Sequence, residues 1–148
     1  MKIRRAVVGD EHTIAALNRF VHEMHHARRP DYYKAWRADD VAAWFRERLE
    51  NPLPALWIAE EGGVAVGYVV ALFHEWSENP FRQAGRWCEI DQIAVDPARR
   101  RRGVGLTLMR GRSTRHAPAR CRAWSCRRGR STRTRTRCFG GSASSRAW

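Results

Sequence analysis

A chain of 148 residues is long enough for one domain with a single core. It has no apolar stretch near the ~20 residues of a membrane span, and its start (Lys2, Arg4, Arg5) lacks the apolar run of a secretory signal, so no membrane partner and a cytoplasmic location are expected. The net charge of +13 would suit a nucleic-acid binder, but it is unevenly spread.

Residues 1–111 hold 17 Lys+Arg and 15 Asp+Glu, whereas residues 112–148 hold 11 Arg and no acid. The last acidic residue is Asp96, and Cys121, Cys126 and Cys138 also fall in the tail. Two compositions meet just after Met109, which divides the chain into a domain over 1–110 and an Arg-rich tail over 111–148.

In chain order, Lys2 to Val8 predicts a first strand. Asp10 is placed to cap a helix from Glu11, whose Ile14, Leu17, Val21 and Met24 form an apolar stripe. Arg28, Arg29 and Pro30 end it. After the loop PDYYKAW, Asp39 or Asp40 is expected to cap a second helix with Val41, Phe45 and Leu49 on one side, stopped by Asn51-Pro52 and Pro54. Ala55 to Glu60 predicts a second strand, Glu61-Gly62-Gly63 a turn, and Val64 to His74 a long apolar third strand. Asn79-Pro80 opens a loop, and a fourth strand begins at Arg86.

The stretch from Glu89 to Met109, EIDQIAVDPARRRRGVGLTLM, carries the chemistry. Ile90, Ile93 and Val95 read as strand, Asp96-Pro97 as a turn, and Gly103-Val104-Gly105 as the start of a helix. Glycines before a helix leave unpartnered backbone N–H groups accessible, which with the helix dipole suits phosphate oxygens. The dinucleotide fingerprint fails because Leu108 stands where its third glycine would be, and a P-loop fails for want of a lysine. An exposed basic loop capping an ordinary helix would also produce this pattern.

Arg100-x-x-Gly103-x-Gly105, preceded by the strand CEIDQIAVD, resembles the acetyl-CoA loop and fourth strand of the GCN5-related N-acetyltransferase (GNAT) family. The resemblance covers roughly residues 1–110. It implies an α/β fold with a mixed, mainly antiparallel sheet flanked by helices in the order β-α-α-β-β-β-α. It further implies transfer of an acetyl group from acetyl-CoA to a primary amine of a small molecule or peptide, with no metal. Nucleic acid is not the expected partner, and a homodimer is admissible.

By the same resemblance, the backbone of Arg100, Arg101, Arg102, Gly103, Val104 and Gly105 and the Arg100 side chain would hold the pyrophosphate. The backbone of Ile93, Ala94 and Val95 would take the pantetheine arm, with an N–H there polarising the thioester. Glu89, six residues before Val95, is the first candidate for the base, and Asp91 the second. Period two puts Asp91 on the same face, where one carboxylate would raise the pKa of the other; solvated charges on an open strand face are the plain alternative. His22, His25 and His26, with Tyr32 and Tyr33, would border the acceptor site, although ordinary surface histidines fit the same pattern. Trp57, Trp76 and Trp87 are expected in the core or a pocket wall.

The family continues with a fifth strand, a fourth helix and two closing strands, and usually supplies a tyrosine general acid. Nothing after Met109 resembles these, so the C-terminal half of the fold is expected to be missing or disordered. Two readings of the tail compete: an Arg-rich arm for nucleic acid or anionic surfaces, or a gene read out of frame. From Ala123 onward, the third base of each codon joined to the first two of the next permits V-E-L-S-A-W-A-F-N-E-D-A-D-A-L-L-R-R-L-G-F-E-P. This closely resembles the absent half, with the slip between Met109 and Arg115. The chain as written is then expected to be unstable or inactive; the alternative is a non-catalytic CoA-binding or nucleic-acid-binding protein.

Overall fold

The computed structural model describes residues 1–51, 54–111, 125–126 and 137–139. Strand β1 (Lys2–Arg5) is followed by helices α1 (Glu11–Arg28) and α2 (Ala38–Leu49), then β2 (Ala55–Glu61), β3 (Val64–Trp76) and β4 (Gly85–Val95). A single 3-10 turn at Pro97–Arg99 leads to α3 (Val104–Gly111). β1 to β4 form an antiparallel sheet in sequence order, because each connection is either a hairpin or a helical excursion that returns beside its predecessor.

Of the Arg-rich tail, β5 (Ser125–Cys126) and β6 (Arg137–Phe139) are described. β6 pairs with Trp87, Cys88 and Glu89 of β4, which is more order than the tail's composition leads one to expect.

The sheet is covered on both faces, so β2 and β3 read as nearly continuous apolar runs. On one face α1 and α2 pack Ile14, Leu17 and Phe45 against Leu56, Ile58, Tyr68 and Val70. On the other, Val104 and Leu108 of α3 meet Trp57, Val66, Val69, Ala71 and Ile90. Burying each of the larger side chains contributes about 1.5–3 kcal/mol. Gly67 is what lets α3 lie so close: a Cβ there would stand 2.8 Å from the Ala94 carbonyl oxygen and 3.2 Å from Leu108 Cδ1.

Three local expectations need correction. The first strand stops at Arg5, because Asp10 N–H donates back to the Val7 carbonyl (3.0 Å) and turns the chain. Asp10 does sit at the start of α1, but its carboxylate caps no helix N–H. It instead accepts from both terminal nitrogens of Arg4 (2.7 and 2.8 Å) and from Val7 N–H (2.8 Å). Arg4 reaches Glu60 of β2 as well (2.6 Å), so one guanidinium ties β1, the start of α1 and β2 together. The N-cap of α2 is Arg37; Asp39 and Asp40 lie inside the first turn, where their charge complements the helix dipole.

Candidate active site

The loop between β4 and α3 begins with Asp96, whose Oδ1 accepts from Ala98 N–H (2.9 Å). Arg101 (φ 60°) and Gly103 (φ 79°) take left-handed conformations, which turn the chain into α3. The first intrahelical bond is Thr107 N–H to the Gly103 carbonyl (2.9 Å). No described residue accepts from the N–H groups of Gly103, Val104, Gly105 or Leu106. A Cβ on Gly105 would touch only Val95 Cγ2, at 3.8 Å, so packing of the described residues does not demand glycine there. Arg100 folds its Nε–H toward the Val95 carbonyl (3.3 Å), and Arg99 pairs with Glu61 (3.5 Å). The result is a cationic helix N-terminus with unclaimed donors, which fits a pyrophosphate.

Immediately before this loop, Ile93, Ala94 and Val95 pair with Val69, Tyr68 and Gly67 of β3. β6 reaches only Trp87 to Glu89, so among the described residues no strand lies along the other edge of β4 at Ile93–Val95. Ile93 is 37% exposed there. An extended ligand arm could add to that edge by main-chain hydrogen bonds.

Glu89 and Asp91 do not follow simple alternation. Val70 pairs with Gln92 but Ala71 with Ile90, so Asp91 is the extra residue of a β-bulge. The next place after Glu89 on its own face therefore belongs to Gln92. Glu89 is buried at 8% exposure, whereas Asp91 is exposed. Glu89 faces the α1/α2 side, where its Oε2 lies 3.5 Å from His74 Nε2. The bulge thus separates the two carboxylates that alternation would have matched.

On that same face a cavity of about 260 Å³ opens between α1, α2 and β4. His22 lines it and donates through Nε2 to the Lys34 carbonyl (2.8 Å). His26 Nδ1 bonds the Tyr33 carbonyl (2.7 Å), while His25 stacks on Tyr33 with centroids 5.2 Å apart. Tyr32 meets Tyr33 edge-on and is 65% exposed. The histidines therefore fasten the loop after α1 that forms the rim; among the described residues, no cluster has the makings of a metal site. Trp57 is buried in the core, and Trp76 donates to the Gln83 carbonyl (3.1 Å). The side chain of Trp87 lies outside the described set.

Sequence reasoning missed the cavity's polar floor. Asn18, Tyr68 and Gln92 join α1, β3 and β4 through hydrogen bonds of 2.8, 3.0 and 3.4 Å. Burial pushes the Tyr68 phenol well above its ordinary pKa, against a smaller opposing pull from Asn18, so it stays protonated and donates to Gln92. One signal was available: Asn18 is a polar residue set within the apolar stripe of α1.

Residues 21–129 match the Acetyltransferase (GNAT) family. Similar solved structures include a Bacillus halodurans protein crystallised as a tetramutant, at 24% identity over 75% of this chain and 72% of that one, with a TM-score of 0.67. An acetyltransferase from Vibrio fischeri is 25% identical over 74% of this chain and 80% of its own, with a TM-score of 0.56. A predicted acetyltransferase from Clostridium acetobutylicum, solved with acetyl-CoA, is 18% identical over 73% and 68%, with a TM-score of 0.52. Among curated proteins none matches. The sheet, the glycine loop opening α3 and the family match agree: the chain belongs to the GNAT acetyltransferase family.

Proposed function

We propose that this fold transfers the acetyl group of acetyl-CoA to a primary amine of a small molecule or peptide, with Glu89 as the base. The observation that carries this reading is the position of Glu89. It is buried on the α1/α2 face of β4, one same-face place from Gln92 at the cavity floor, on the strand that runs into the glycine loop. Bound acetyl-CoA would supply the thioester. The N–H groups of Gly103 to Leu106 and the arginines of the loop would hold its pyrophosphate, and the Ile93–Val95 edge its pantetheine arm. Glu89, directly or through one water, takes the proton from the amine as nitrogen bonds to the acyl carbon and the carbon–sulfur bond breaks. The thiol leaves with a proton from solvent. Asp91, exposed on the bulge, is the lesser candidate for the base. His22 and Tyr33 belong to this scheme as supports of the acceptor rim, with His25 stacked on Tyr33 and the exposed Tyr32 edge-on to it.

The Arg-rich tail is read as a translation product of the wrong frame. The support is the loss of all acidic residues after Asp96 and the family-like sequence that the shifted frame permits. Resequencing the gene across codons 105–116 tests this, with a missing or extra base as the expected result. The restored chain should release CoA thiol in the presence of amines, and the 148-residue form should be unstable or slow. Turnover by the 148-residue form equal to that of the restored chain would refute the frame reading. Absence of acetyl-CoA binding by both would refute the enzyme.

A further inference from the structure

A buried base must lose each proton it takes before it can act again. Glu89 is 8% exposed, so water has little direct access to it. An ionisable side chain lies against it on the next strand. Leu72 of β3 pairs with Glu89 of β4, which sets the two on one face of the sheet, and His74 follows Leu72 by one same-face step. His74 Nε2 lies 3.5 Å from Glu89 Oε2. That nitrogen is buried, yet the His74 side chain as a whole is 40% exposed, so its exposure lies on the rest of the side chain. One side of His74 therefore meets the carboxylate while another part meets solvent.

Imidazole suits such a position because it takes a proton at one ring nitrogen and releases one from the other. A separation of 3.5 Å is long for a hydrogen bond, but catalytic contacts are often long in the resting enzyme and shorten once substrate is bound. The other neighbours of Glu89 on β4 do not fit the task. Gln92, the next residue on this face, does not ionise, and Asp91 stands out on the bulge. His22 lies at the cavity with its Nε2 already bonded to the Lys34 carbonyl (2.8 Å).

We propose that His74 carries the proton from Glu89 to solvent after each acetyl transfer. The Oε2–H bond of Glu89 breaks as an N–H bond forms at Nε2. The imidazolium then loses its Nδ1 proton to water, and a turn of the ring restores the starting tautomer. Glu89 is again a carboxylate, and the proton lost to water equals the one taken from the amine. His74 is thus a positioning residue that acts through Glu89 and not on the substrate, and the proposal rests on Glu89 being the base.

The test measures initial rates on the full 148-residue chain and on the frame-restored chain, with acetyl-CoA and phenethylamine, lysinamide or kanamycin as acceptor. His74→Ala should lower kcat by about tenfold or more with the KM for acetyl-CoA unchanged, and added imidazole should restore most of the rate. His74→Asn, which keeps a polar side chain beside Glu89 but relays no proton, should fall as far. Full kcat in either variant, or a loss that imidazole does not restore, would overturn the proposal. If the variants do not fold, the unmodified enzyme decides: its rate should curve with the deuterium content of the solvent, as for two protons in flight, and a straight line would overturn the relay. A slow Glu89→Gln beside a full-rate His74→Ala would sink the relay and leave Glu89 as the base. An undiminished Glu89→Gln, or no turnover of any of these amines, would sink both.

Discussion

Asn18 Nδ2 lies 2.8 Å from Tyr68 Oη, a bond that joins the middle of α1 to the buried centre of β3. Tyr68 is 0% exposed, so its hydroxyl has no access to water in compensation. Tyr68→Phe removes the group that serves both Asn18 and Gln92, and should destabilise the fold by about 1–3 kcal/mol. Urea unfolding measures this; an unchanged midpoint would mean that the floor does not help to hold α1.

Two glycines should separate packing from ligand binding. At Gly67 a Cβ would meet the Ala94 carbonyl at 2.8 Å, so Gly67→Ala should cost about 1–3 kcal/mol by lifting α3 from the sheet. At Gly105 a Cβ would make only an ordinary 3.8 Å contact. Gly105→Ala should therefore leave the melting temperature nearly unchanged while weakening acetyl-CoA binding by about tenfold, since the methyl group would stand between backbone and phosphate. Equal effects of the two variants on melting would show that this distinction is mistaken.

The Arg4–Asp10 pair predicts a dependence on acid. Its hydrogen bond with Arg4 is the main cause that holds the Asp10 carboxyl below the usual carboxylate range. The unfolded carboxyl titrates near pH ~3.9. The pair's contribution is therefore complete above that pH and is lost as pH falls through the lower folded value. Arg4→Met should be less stable at neutral pH by about 1–3 kcal/mol, and should lose less further stability than the parent on acidification. Parallel melting-temperature curves for the two proteins would contradict this.

How much of this was legible depends on distance along the chain. The Asp96-Pro97 turn, the glycines at 103 and 105 and the helix after them are local signals, and the structure follows them. The start of α1 was also legible, although Asp10 serves Arg4 rather than the helix. The bulge at Asp91 was not, because it depends on how β4 registers against β3. The cavity floor was least legible: Asn18 and Gln92 are 74 residues apart, and only the folded sheet brings them together. The family resemblance points to Glu89, but alternation within the strand matches it with Asp91 where the fold sets Gln92.

Glu89→Gln in the frame-restored chain tests the central claim most directly, because it keeps the shape of the side chain and removes the base. Initial rates of acetyl transfer are measured beside the dissociation constant for acetyl-CoA. The account predicts a fall in kcat of about 10²–10⁴-fold, with acetyl-CoA affinity unchanged and the loss partly relieved at higher pH as more amine becomes neutral. An undiminished rate would remove Glu89 from the reaction, and loss of acetyl-CoA binding in step with rate would make it a structural residue.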